Sequence, residues 1–166
     1  MQKKLNEKEK IDVLKYNISR FDHYYASVNF KSSFLVLGNI TILGLVSVNE
    51  DKLGGYIIFV LYLLIASTLI SVLLAIRPYL KSNKIDKSII SFDEIANSTK
   101  NEYITKIKLL TQKKYIKDLN EQTYFLAKGL QRKFFYLNIA TGSFILTVLL
   151  LFISIAFFNV SIGASK

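Results

Sequence analysis

Four cations stand where uncharged chain meets charged chain: Lys31, Arg77 and Lys133 directly beside uncharged runs, and Lys81 one turn beyond Arg77. Ammonium and guanidinium groups held at one level suit a phosphate or another anion. Each charge-assisted hydrogen bond of that kind contributes about 1.5–3 kcal/mol. Taken singly, each cation reads better as a side chain whose stem lies on apolar surface while its head reaches lipid headgroups. Taken together, Lys31, Arg77, Lys81 and Lys133 form the candidate ligand site.

Other chemistries lack the residues they need. The chain has no cysteine and a single histidine, His23, which reads as an interfacial or packed residue beside tyrosines. There is no metal-ligand cluster, no nucleophile with a histidine partner and no glycine-rich phosphate loop. Gly54-Gly55 reads as a turn. No catalytic residue, metal ligand or cofactor is expected, and the chain reads as a non-enzyme.

Three long uncharged runs position the cations. They cover 17 residues from Ser32 to Val48, 24 from Leu53 to Ile76 and 29 from Phe134 to Ile162. At about 1.5 Å of rise per residue, they reach roughly 26, 36 and 44 Å as helices. A bilayer's hydrocarbon core is about 30 Å thick, so the first run spans it only with local thinning and the others with residues to spare. The fold class is an all-α integral membrane protein with three transmembrane helices and cytoplasmic helical extensions. The expected divisions are 1–31, an amphipathic helix continuous with the first span; 32–48; a turn at 49–52; 53–76; a basic helical segment at 77–133; 134–162; and a tail at 163–166.

Charge orients these divisions. Of 22 basic residues, 20 fall in 1–31 and 77–133, and the segment 77–133 carries 13 basic against 6 acidic side chains, a net +7. The positive-inside rule then places the N-terminus and the central segment in the cytoplasm and the C-terminus outside. No signal peptide or lipidation motif is read at the N-terminus.

Outside the spans the apolar residues keep helical spacing. Ile11, Leu14, Ile18, Phe21, Tyr25 and Val28 form an a/d seam that runs into the first span. Ile116, Leu119, Thr123, Leu126, Leu130, Phe134 and Leu137 form a second, with Thr123 its weak point. Such seams bury against each other or against partner subunits. Ser98 or Thr99 is placed to cap a helix holding Tyr103, Ile104, Ile107 and Leu110.

Within the spans, small and polar residues mark helix-packing faces: Ser67, Ser71 and Ala75 on the second, and Ala140, Ser143 and Thr147 on the third. Asn39, near the middle of the first, should face another helix. No span contains Asp, Glu, Lys, Arg or His, which argues against a proton relay or an ion-coupled transporter. A homo-oligomer is expected, with Ser67, Ser71 and Ala75 as its contact.

Local sequences in a fixed order carry a resemblance. Asn29-Phe-Lys-Ser-Ser-Phe-Leu-Val-Leu-Gly-Asn39 opens the first span, and Ala75-Ile-Arg-Pro78 closes the second. Ile90-Ser-Phe-Asp-Glu-Ile-Ala96 follows, and Asp118-Leu-Asn-Glu-Gln122, Leu126-Ala127 and Lys133 lead into the third. Over about residues 15–158 the chain resembles the transmembrane effectors of Pycsar antiphage systems. The resemblance implies activation by a cyclic mononucleotide from a partner nucleotide cyclase, and impairment of inner-membrane integrity in abortive infection. The implied partners are the bilayer, further copies of the chain and, functionally, the cyclase, with no nucleic acid. The competing readings are a membrane adaptor that docks a cytoplasmic protein and a holin-like or toxin pore without a nucleotide ligand.

Overall fold

The computed structural model describes residues 4–78 and 88–163, with side chains as far as Ala156. Among them there is no strand. The helices are α1 (Glu7–Val48), α2 (Gly55–Ile76), α3 (Phe92–Ala96), α4 (Lys100–Lys108) and α5 (Gln112–Gly163), with a 3-10 turn at Glu50–Lys52. Three of them, α1, α2 and α5, are long and apolar enough to cross a membrane.

Local chemistry sets the ends. Before α1, the Asn6 side chain accepts from the Glu9 N–H at 2.8 Å and the Glu9 carboxylate accepts from the Asn6 N–H at 2.7 Å. This reciprocal pair satisfies two donors that a helix start leaves orphaned. Thr99 and Glu102 form the same box ahead of α4. Pro78 ends α2. The residue before a proline is driven out of the helical region, and Arg77 sits at φ −51°, ψ 133°. Between α1 and α2, the Tyr62 hydroxyl donates to the Glu50 carboxylate and so ties the 3-10 turn to α2.

The chain forms two compact units, residues 1–26 with 78–131 and residues 27–77 with 132–166. In the second unit small polar side chains are buried and large apolar ones are exposed. Its interior holds Ser32, Asn39, Thr68, Ser71, Thr147 and Ser154, all buried, beside an apolar cluster of Ile42, Val46, Leu61 and Ile65. Its surface carries Phe34, Leu37, Phe59, Leu63, Leu146 and Phe152, all exposed. Polar inside and apolar outside is the arrangement favoured when the solvent is hydrocarbon.

The buried hydroxyls serve their own helices. Thr68 donates to Leu64 O at 3.0 Å, Thr147 to Ser143 O at 2.8 Å and Ser154 to Leu150 O at 2.7 Å. Ser67 Oγ and Ser143 Oγ lie 3.2 Å apart, so the small-residue faces of α2 and α5 meet inside the unit. Ser71 and Ala75 are buried on the same side. The face expected to join copies of the chain is therefore used within one chain. Close approach also fixes Gly38, where a Cβ would fall 2.8 Å from Cζ of Phe144.

In the first unit the seam residues turn inward. Ile11, Leu14, Ile18, Phe21 and Tyr25 of α1 are half-buried, while Leu119 and Leu130 of α5 are buried. The two seams touch: the Tyr25 hydroxyl donates to Leu126 O at 3.0 Å, and Lys15 Nζ lies 5.8 Å from the Tyr115 ring centre. Thr123 satisfies its hydroxyl by donating to Leu119 O at 2.7 Å.

Candidate functional site

Ser88 through Ser91 make a turn ahead of α3 that two side chains of α5 hold in place. Asp118 and Gln122 are one helical turn apart and so share a face. An Asp118 carboxylate oxygen accepts from the Ile89 N–H at 2.8 Å, and Gln122 Nε2 donates to Ser88 Oγ at 3.0 Å. The same Ser88 oxygen accepts from the N–H groups of Ile90 and Ser91 at 3.1 and 3.0 Å. Two of these contacts fasten the short turn to the long helix, and the other two close the turn on itself. The two local sequences that stand apart in the chain, around 88–96 and 118–122, are one hydrogen-bonded cluster in space.

Beside that cluster is a cavity of about 460 Å³. This lies within the range of about 300–1,000 Å³ usual for small-molecule sites. The Ser88–Ile89 turn forms part of its wall, and Leu109 and Leu110 at the α4–α5 elbow supply apolar surface. Lys106 of α4 and Lys114 and Lys117 of α5 line it, together with Asp118 and Glu121. The lining charge is three cations against two carboxylates. The carboxylates are engaged: Asp118 with the Ile89 N–H, and Glu121 with Lys117 at 4.0 Å.

The cations that the sequence brought forward are placed differently. Lys133 is buried in the second unit, and its ammonium donates to Ala75 O at 2.7 Å and Arg77 O at 2.9 Å. These carbonyls belong to the last turn of α2 and its cap, where orphaned acceptors and the negative end of the helix dipole both favour a cation. Lys133 is thus brought to the Arg77 backbone as a helix cap. The Arg77 side chain is exposed. Lys31, also exposed, lines a shallow groove of about 480 Å³ with Phe30, Phe34, Phe134 and Asn138. Lys81 lies outside the described residues.

Among the helix-packing residues, Asn39, Ser71, Ala75, Ala140 and Thr147 are buried and Ser67 meets Ser143, as described above. Asn39 donates to Leu35 O at 2.8 Å, but its Oδ1, like Ser32 Oγ, is buried with no partner. The lysines of the cavity were not singled out by sequence. The signal available was the spacing of two of them, Lys114 and Lys117, inside the first two turns of α5, with no acidic residue in its first turn. No group of three or more histidine, cysteine or acidic side chains suited to a metal ion occurs among the described residues.

Comparison with known proteins gives one family. A family model described as the Pycsar effector protein domain matches residues 13–160. No curated protein and no solved structure matches the chain.

Proposed function

The chain belongs to the Pycsar effector protein family, and from that premise we propose that it is an antiphage membrane effector switched on by a cyclic nucleotide. In this reading a partner cyclase makes the nucleotide during infection. The nucleotide binds the unit formed by residues 1–26 and 78–131, and the apolar-surfaced unit then impairs the inner membrane. The chain contributes no catalysis. Its N-terminus and its basic central segment face the cytoplasm, in keeping with the 20 of 22 basic residues on that side.

The observation that carries this reading, with family membership, is the division of labour between the units. One is built for hydrocarbon, with buried hydroxyls and exposed Phe, Leu and Ile. The other carries most of the charged side chains, has a basic balance and holds a cavity of small-molecule size. Helices α1 and α5 each contribute to both units. A ligand shifts a closed-to-open balance only through different affinity for the two states. Moving it from 1:99 to 99:1 takes about 5.5 kcal/mol of preference, which two to four charge-assisted hydrogen bonds supply. Three packed helices enclose no lumen, so passage through the membrane calls for several copies. The exposed apolar faces of α1, α2 and α5 are the surfaces on which such copies meet.

The test is leakage of a dye from liposomes carrying the purified protein, with and without a panel of cyclic mononucleotides. Leakage that depends on one of them supports the reading. Leakage of equal rate without any nucleotide would identify a constitutive pore. No leakage under any condition, with capture of a cytoplasmic protein, would identify an adaptor.

A further inference from the structure

We infer that the cavity between the Ser88–Ile89 turn, α4 and the start of α5 binds a small phosphodiester anion, with Lys106, Lys114 and Lys117 holding the phosphate. The inference rests on the nucleotide-activated reading above and gives it a place in the fold. Three observations converge on it. The cavity has the volume of a small-molecule site. Its three lysines come from two helices, Lys106 from α4 and Lys114 and Lys117 from α5. And one of them, Lys114, stands in the first turn of a 52-residue helix, a turn that has no acidic residue. A cation in the first turn of a helix is unfavourable, and a bound anion offsets that effect at Lys114.

The rest of the lining suits a nucleoside. Leu109, Leu110 and Ile89 offer apolar surface to the faces of a base. The second oxygen of Asp118, and Glu121 once Lys117 exchanges it for the phosphate, are acceptors for ring or exocyclic N–H groups, the pairing that carboxylates make with base edges. Asp118 also holds the Ile89 N–H, so a ligand that draws on this carboxylate reaches the turn that Asp118 and Gln122 fasten to α5. The site therefore differs from the cluster of cations at the ends of the apolar runs. Of those, Lys133 is engaged by backbone carbonyls and Lys31 lines a different groove.

The experiment measures binding of a panel of 3′,5′-cyclic mononucleotides to the full-length protein in detergent, by calorimetry, for the unmutated chain, Lys106→Gln, Lys114→Gln, the double variant, and Lys31→Gln with Arg77→Gln as a control. Helix content is checked by circular dichroism. A second arm measures each protein on vesicles of phosphatidylglycerol, which presents a phosphodiester as a headgroup. The expected result is at least a tenfold loss of nucleotide affinity for each single cavity variant and at least a hundredfold loss for the double. The control and the vesicle binding should change by less than threefold. Glu121→Gln should alter the preference among bases more than the mean affinity. Nucleotide binding that survives the double variant at full strength overturns the site and leaves the proposed function standing. Loss of vesicle binding alone also overturns the site, since the lysines would then be reading headgroups. Failure of the unmutated protein to bind any of the nucleotides overturns the nucleotide-activated reading and this site with it.

Discussion

Replacing Lys133 with methionine tests whether this cation holds the fold together or waits for a ligand. Methionine keeps the length of the stem and loses the ammonium. Two charge-assisted hydrogen bonds go, at 2.7 and 2.9 Å, each contributing about 1.5–3 kcal/mol. Water reaches the exposed cap at Arg77 and re-forms part of one bond, while Ala75, which is fully buried, has no such recourse. The ammonium's own burial cost is also relieved by the substitution. The net expectation is about 2–4 kcal/mol of destabilisation, concentrated at the end of α2. Denaturation in mixed micelles reads the total. Amide hydrogen exchange reads the location, and the Arg77 N–H, bonded to Leu73 O at 3.2 Å, should exchange at least tenfold faster. Lys133→Arg should recover part of the loss, since its fork can still reach a carbonyl. Lys31→Met, exposed in its groove, should stay within about 0.5 kcal/mol of the parent. If Lys133→Met leaves both the midpoint and the exchange unchanged yet removes nucleotide-dependent leakage, the capping role is wrong and Lys133 belongs to a ligand site.

Gly38→Ala should be less stable than Gly142→Ala by about 1–3 kcal/mol, because the new methyl at 38 meets the Phe144 ring whereas the one at 142 meets open space; thermal denaturation of the two variants compares them directly. Asn39→Leu should raise stability by about 1–2 kcal/mol, since it removes a buried acceptor that has no donor. A fall in stability on the same denaturation scale would mean that the Asn39 amide does bonding work in the unit. Ser88→Ala should unfasten the 88–91 turn and speed exchange at the Ile90 and Ser91 amides about tenfold, with no change at α2. Equal exchange in parent and variant would show that Asp118 alone holds the turn.

The helical class and the number of membrane-length helices were legible because hydrocarbon writes itself into sequence as long uncharged blocks. The Ser67 and Ser143 faces were legible as packing surfaces for a similar reason, since small residues at helical spacing have few other uses in a membrane. What they pack against was not legible. Spacing along one helix says nothing of whether the opposing face belongs to the same chain, and here Ser67 meets Ser143 of its own chain. Lys133 was read as a cation at the membrane surface, and its partners are the backbone carbonyls of Ala75 and Arg77, which every residue type possesses and no pattern reveals. The cavity was hidden for a third reason. Its walls are the Ser88–Ile89 turn, α4 and α5, brought together by Asp118 and Gln122 acting over separations of 29 and 34 residues. Each lysine in it, seen alone, is one more basic residue in a basic segment.

The Lys133 cap also orders the birth of the molecule. The ammonium is made 56 and 58 residues after the carbonyls it holds. At roughly 5–20 residues per second of synthesis, α2 waits about 3–12 s for its cap. During that interval the ribosome has delivered a two-helix hairpin in which Ser67 has no Ser143 opposite it. Arrival of α5 supplies both the Ser143 that meets Ser67 and the ammonium that caps α2. A chain stalled or cleaved before residue 133 therefore stays an open hairpin, with α2 uncapped and Ser67 without Ser143, and that is the form quality-control proteases meet.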